Sequence, residues 1–397
     1  MENHPSQGSR NLGPLSERGS ISAVLLVAGI VTVLATIIVL LIIYTRRCEM
    51  AIFRPRVKAP LLPVINEPHL RMNRNELLAA TDNFSRTNLI GKGGFSTVYK
   101  GLLPNGRFVA VKWMKIDKET LSKKNFFAEL KILGKLRHRN LLKILGYFSD
   151  SNEMALILEF MPNGSLENFL HGEARRPLEW KQRLNIAIGV AQGLTYLHHE
   201  SRTSVVHCDL KPSNVLLDEE FEPHISDFGV AKAFNLNMTE SSCGPSWTIG
   251  YTAPERAYRT RPSTKSDVYS FGVMVLELIT RQRPTCSKFD SGMTLVEWVR
   301  KAEEEGRVVD VIDDHLKFSP EFEQEILSMI QLALNCAEHA PVRRPTMREV
   351  VGKLMKIGGY EGQVGRLNIS IHTLLVQASS FARSHTTSSE ASSSTAS

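Results

Sequence analysis

At 397 residues, with 42% hydrophobic and 22% charged residues, the chain has the make-up of a globular protein with a large core and is too long for one small domain. The net charge of +7 does not point to nucleic acid. Arg46, Arg47, Arg54, Arg56 and Lys58 crowd into one stretch beside an apolar run, and neither zinc-finger spacing nor an RNA-binding aromatic signature accompanies the rest, so no nucleic-acid partner is expected. The five cysteines (Cys48, Cys208, Cys243, Cys286, Cys336) include no Cys-x-x-Cys pair, which argues against a disulfide framework and a zinc site and suits a reducing compartment.

Residues 1–20 carry Glu2, Arg10, Glu17 and Arg18, which balance, and are expected to form a short extracellular segment. Ile21 to Tyr44 follows without a charge. As a helix, these roughly 24 residues measure about 36 Å against a hydrocarbon core of about 30 Å, which predicts one transmembrane helix over 21–44. The run is longer than the apolar core of a signal peptide, and no Ala-x-Ala site follows it. The basic cluster on its far side places the remainder in the cytoplasm. The outer segment is too short to bury a core, so no sensing domain is expected there.

Residues 45–83 read as a cytoplasmic juxtamembrane linker, broken by Pro55, Pro60, Pro63 and Pro68, with a short helix from Asn75 to Asp82. From Asn88 to Lys112, apolar runs alternate with turn signals such as Pro104-Asn105-Gly106, which predicts antiparallel strands joined by hairpins. After Asp150 the pattern turns helical. Leu184, Ile188, Ala191, Leu194 and Leu197 recur at three- or four-residue spacing, and Val268 to Ile279 is apolar nearly all round, as a central buried helix would be. The expected fold class is α+β, with a small antiparallel β lobe containing one key helix and a larger helical lobe. The folded domain is expected over 84–358 and a Ser/Thr-rich, largely disordered tail over 359–397.

Several motifs carry chemistry. Ile90-Gly91-Lys92-Gly93-Gly94-Phe95-Ser96-Thr97-Val98 has the form of a glycine-rich phosphate loop, in which a backbone without side chains can approach an anion closely. Val109-Ala110-Val111-Lys112 follows on a predicted strand and supplies a lysine for phosphate oxygens, and Glu129 lies on the next predicted helix. His207-Cys208-Asp209-Leu210-Lys211-Pro212-Ser213-Asn214 pairs an aspartate suited to accept a hydroxyl proton with an asparagine suited to ligate Mg²⁺. Asp227-Phe228-Gly229 supplies a second metal-binding carboxylate, and Ala253-Pro254-Glu255 and Ser266-Asp267-Val268-Tyr269-Ser270-Phe271-Gly272 follow in order.

Taken together these runs resemble a protein kinase over roughly residues 84–358. Glu76-Leu77-Leu78-Ala79-Ala80-Thr81-Asp82-Asn83-Phe84-Ser85, Leu136-Arg137-His138-Arg139-Asn140-Leu141 and Met161-Pro162-Asn163-Gly164-Ser165-Leu166 narrow the resemblance to plant receptor-like kinases of the leucine-rich-repeat type. The resemblance implies the bilobal protein kinase fold, ATP and Mg²⁺ as cofactors, and protein substrates. It assigns Asp209 as base, Lys112 and Glu129 as a phosphate clamp, Lys211 as a further catalytic residue, and Asn214 and Asp227 as metal ligands. ATP would lie on residues 90–98 and Lys112, with Leu158 as gatekeeper and the backbones of Glu159 and Met161 at the adenine. Asp267 would brace the catalytic loop, and Arg344 would pair with Glu255.

Two positions depart from the family pattern. Ser96 replaces a glycine, and Cys208 replaces the arginine that usually precedes the catalytic aspartate. The second places the chain with kinases associated in plants with receptors for microbial patterns. Lys211 with Thr248 resembles the serine/threonine class. The expectation is therefore a single-pass plasma-membrane serine/threonine kinase in receptor-type signalling, partnered by a larger receptor or co-receptor kinase. The alternative is a membrane-bound scaffold or co-receptor with weak or dispensable kinase activity.

Overall fold

Residues Thr97 to Lys115 form a hairpin: β3 (Thr97–Leu102) and β4 (Phe108–Lys115) pair antiparallel from Thr97↔Trp113 to Leu102↔Phe108. Gly106, at φ 78°, takes the left-handed position of the connecting turn. The computed structural model describes Leu70–Tyr360 except Phe95 and residues 116–120, 151–152, 173–176, 234–247, 259–260, 287–288, 290–291 and 318–319. The expected outer segment, the expected transmembrane helix, most of the linker and nearly all of the tail lie outside those residues. Among the described residues, no helix is long and apolar enough to cross a membrane.

Strands β1 (Leu70–Arg71), β2 (Leu89–Lys92), β5 (Ile144–Ser149) and β6 (Glu153–Glu159) complete a six-stranded sheet in the order β1-β5-β6-β4-β3-β2. All its pairings are antiparallel except β1 with β5. The two-residue period of a strand divides β4 between two cores. Ala110 and Met114 face inward with Phe126 of helix α2 (Leu121–Leu133), in a core continuous with the large lobe. Val109, Val111 and Trp113 face outward with Ala155 and Ile157, and that face is covered by Met72, Leu77 and Ala80.

This cover comes from helix α1 (Arg74–Thr81), whose start is fixed by a capping box between Asn73 and Glu76. The sequence reading leaves these residues in the linker; the structure packs them on the small lobe. Asp82, Asn83 and Phe84 then adopt three successive left-handed conformations, with φ of 52°, 54° and 55°. Their strain is offset where Phe84 wedges edge-on against Tyr99 and Trp113, at centroid distances of 5.1 and 4.1 Å.

The larger lobe begins with β7 (Gly164–Ser165), α3 (Leu166–His171) and α4 (Trp180–Thr195). Leu184, Ile188, Ala191 and Leu194 are buried on the expected face, but Ile186, Ala187 and Val190 are buried too, so α4 is enclosed on nearly every side. Short strands β8 (Val205–Val206), β9 (Val215–Leu217), β10 (Pro223–Ile225) and β11 (Lys232–Ala233) carry the loops that face the small lobe. Then follow α5 (Thr264–Thr280), α6 (Leu295–Glu304), α7 (Asp314–Lys317), α8 (Glu323–Cys336) and α9 (Met347–Ile357). The central helix α5 lies against α8 so closely that a Cβ on Gly272 would stand 2.7 Å from the Ala333 carbonyl oxygen.

The lobes are joined at the loop between α2 and β5. Asn140 is fully buried and donates through Nδ2 to the Pro223 carbonyl (3.0 Å) and to Glu222 (2.7 Å). Its own carbonyl accepts from Ile225, whose carbonyl accepts in turn from Leu142. Gly189 of α4 makes room, since a Cβ there would lie 2.8 Å from Asn140 Nδ2.

Candidate active site

Lys112 sits on the inward face of β4, one residue from the outward-facing Val111 and Trp113, and so points between the lobes. Its ammonium is 2.8 Å from Glu129 on α2 and 2.9 Å from Asp227. Burial lowers its pKa, but the two carboxylates more than offset this, and the lysine stays charged well above its ordinary range. Burial raises the pKa of Glu129 against the pull of Lys112, and its second carboxylate oxygen is buried without a hydrogen-bond partner among the described residues. Asp227 holds φ 63°, and its side chain is 48% exposed toward the cleft. Burial would raise it, yet the neighbouring Lys112 ammonium brings it below the usual carboxylate range, so it is ionised.

Asp209 is held from three directions. Lys211 Nζ lies 2.8 Å from its Oδ2, Thr248 Oγ1 donates to Oδ1 at 2.6 Å, and Asn214 Nδ2 donates to its carbonyl (2.7 Å) and to Oδ2 (3.2 Å). Lys211 also donates to Thr248 at 2.9 Å, closing a triangle. The loop itself hangs on Asp267 of α5, which accepts from the amides of His207 (2.8 Å) and Cys208 (2.9 Å) and faces His198 Nε2 at 2.8 Å. Burial raises Asp267, and the His198 bond and these amides outweigh it, keeping the carboxylate ionised. Cys208 takes φ 71°, and its thiol lies 3.5 Å from the Val206 carbonyl. His207 bridges to the next motif: its Nε2 is 2.9 Å from the Ser226 carbonyl, and its ring meets buried Phe228 edge-on at 4.9 Å.

Opposite lies the glycine-rich turn. Gly91 and Lys92 of β2 pair with Val98 and Thr97, a bulge falls at Ile90, and the Gly93 amide donates to the Ser96 carbonyl at 2.8 Å. Phe95 lies outside the described residues. A Cβ on Gly91 or Gly93 would meet nothing closer than 3.5 Å, and one on Gly94 nothing within 4 Å. The protein's own packing therefore does not demand glycine here, whereas a ligand pressed against the backbone would. Leu158 is buried at the end of β6. The Glu159 amide is used by the Lys143 carbonyl and the Met161 carbonyl by Gly164, so bonds to a purine at this edge would run through the Glu159 carbonyl and the Met161 amide.

Two supports lie below the loop. Arg344, almost fully buried, grips Glu255 through two nitrogens at 2.7 and 2.8 Å. Tyr251 donates its hydroxyl to fully buried Glu277, whose other oxygen is 2.7 Å from His171 Nε2. Sequence reasoning passed over Tyr251, Glu277, His171 and His198, because no fixed spacing links these partners along the chain.

The protein kinase domain family matches residues 84–354, well over half of the sequence. The chain belongs to the protein kinase family. Its catalytic domain is of the serine/threonine class, and it resembles plant receptor-like kinases. It is 40% identical over 309 residues to a leucine-rich repeat receptor protein kinase, EMS1, of Arabidopsis thaliana, covering 76% of the chain and 26% of that relative. It is 41% identical over 295 residues to the leucine-rich repeat receptor protein kinase MSP1 of Oryza sativa subsp. japonica, covering 74% of the chain and 23% of the relative. It is also 40% identical over 288 residues to the L-type lectin-domain containing receptor kinase S.1 of Arabidopsis thaliana, covering 72% and 44%. The chain thus spans between about a quarter and under half of the length of these relatives.

Proposed function

We propose that this kinase is a single-pass plasma-membrane protein whose cytoplasmic domain transfers the γ-phosphate of ATP to serine and threonine hydroxyls of protein substrates. The convergence of Lys112, Asp209, Asn214 and Asp227, from three separate segments of chain, carries this reading. Asp209 accepts the proton of the acceptor hydroxyl as its oxygen bonds to the γ-phosphorus and the bond to the leaving ADP oxygen breaks. Lys211 and Thr248 aim the carboxylate. Lys112, set by Glu129, takes phosphate oxygens beneath residues 90–98, where the open space beside Gly91, Gly93 and Gly94 lets an anion approach the backbone. The ionised, cleft-facing carboxylate of Asp227 and the amide of Asn214 are hard oxygen donors fitted to Mg²⁺, which would supply neutralising charge at the phosphates. The transition state of phosphoryl transfer is loose, so rate comes from positioning and charge rather than from covalent chemistry.

The proposed layout is an outer segment over 1–20, a membrane helix over 21–44, a linker from 45, the kinase domain to 358, and a tail beyond. The uncharged run at 21–44 and the basic residues after it support this orientation. The names of the relatives favour receptor-type signalling beside a larger receptor or co-receptor kinase, and Cys208 favours the immune branch of it. The deciding experiment incubates the chain with labelled ATP, Mg²⁺ and a generic protein substrate, beside Asp209→Asn. Label on serine and threonine that disappears in the variant is expected. Equal labelling by both would overturn the assignment of the base, and none by either would favour a scaffold.

A further inference from the structure

Helices α6 and α8, which carry none of the site residues, enclose a groove of about 290 Å³. Val308 and Val309 wall it on one side, and Leu327 and Ile330 of α8 on the other. That volume lies at the low end for a small-molecule pocket, about 300–1,000 Å³, and suits a few aliphatic side chains. Val309 is 46% exposed, so the groove turns apolar surface to water. Its surroundings are acidic on balance: Glu303 lines it and Glu304, Glu305, Asp310 and Glu323 are exposed along the flanking segments, against Lys301 and Arg307, the latter paired with Glu305 and Asp310.

The chain leaves the described residues beside α4 and within electrostatic reach of α8. The Tyr360 hydroxyl is 3.3 Å from Asn185 of α4, and Tyr360 lies within electrostatic reach of Glu325, two residues before Leu327 on α8. Glu325 and the groove lie on opposite faces of α8, and passing round a helix about 10–12 Å across covers roughly 16–19 Å. The seven residues from Tyr360 to Leu367 reach up to roughly 23–25 Å, so a nearly extended chain makes the crossing.

The sequence just past that span matches the groove in pattern and charge. In Arg366-Leu367-Asn368-Ile369-Ser370-Ile371-His372, apolar and polar residues alternate strictly, and there is no acid. In an extended chain Leu367, Ile369 and Ile371 share one face, and Arg366 stands where it can meet the acidic rim. The tether supplies a local concentration in the millimolar range for a short linker.

We infer that residues 367–371 of the chain's own tail dock as an extended strip in the groove between α6 and α8. Amide hydrogen exchange on the full chain in lipid nanodiscs tests this, beside a chain ending at Tyr360 and a full chain carrying Ile369→Asp and Ile371→Asp. The tail substitutions lie beyond the kinase-family match and the described residues, so they do not confound docking with folding. Exchange at residues 306–311 and 327–331 should be about tenfold slower in the full chain than in either variant. Equal rates in all three chains would overturn the inference. So would protection that fades on dilution, because the occupant would then be a second copy.

Discussion

Leu77 tests where the folded unit begins. It is fully buried on α1, among Met72, Val109, Val111, Trp113 and Ile157, yet it stands before residue 84, where the kinase-family match starts. Leu77→Ala leaves a cavity under the outer face of the sheet. Such substitutions cost about 2–5 kcal/mol, a large share of the roughly 5–15 kcal/mol that holds a domain folded. At about 2–4 °C per kcal/mol for a domain of 150–250 residues, the melting temperature should fall by roughly 5–15 °C. Differential scanning fluorimetry of the chain from His69 onward measures this, with Leu184→Ala of the large lobe, also fully buried, as the reference cavity. If Leu77→Ala shifts the melting temperature by less than about 1 °C while Leu184→Ala lowers it, α1 is a detachable part of the linker and the reasoning fails.

Lys112→Met should lower turnover by about 10²-fold or more with the fold retained, because Glu129, already pushed up by burial, takes up a proton once its partner is gone; normal autophosphorylation would show that the phosphate clamp is misassigned. Burial and the nearby Arg139 charge hold His138 at about 4, below its usual 6.5, while its Nδ1 accepts from the Asn140 amide and its ring stacks on Tyr196 at 5.0 Å. The unfolded chain binds that proton from pH 6.5 downward and the folded chain only near 4, so its share of stability is complete above 6.5 and falls by about 3 kcal/mol as pH drops to 4. Urea titrations across that window should show a shallower pH dependence for His138→Gln, and identical profiles would refute the assignment. Replacing Thr239, Ser241, Ser242 and Ser246 together with alanine should reduce peptide phosphorylation less than about tenfold, since the neutral thiol of Cys208 cannot hold a phosphate as an arginine would. These four residues lie outside the described residues, and a drop of about 10³-fold with ATP binding intact would mean that phosphate switches the segment after all.

Much of this protein is written locally. The hairpin around Gly106, the buried helix read over 268–279 and found over Thr264–Thr280, and the order of the catalytic motifs were legible because each rests on a contiguous run whose spacing is set by backbone geometry. Tertiary structure decided which surfaces meet. Nothing in Leu77 or Phe84 announces that they cover a sheet, because the strands they cover, β4 and β6, lie some 25 to 80 residues onward. Asn140 belongs to a run that carries the family resemblance, yet its burial follows only from Gly189 and Pro223 closing around it. The same holds for the link from Tyr251 through Glu277 to His171, which ties the loop beside Asp209 to α3. A buried carboxylate requires partners, but distance along the chain cannot name them. Only the packing of α3 and α5 brings those three side chains within hydrogen-bonding reach.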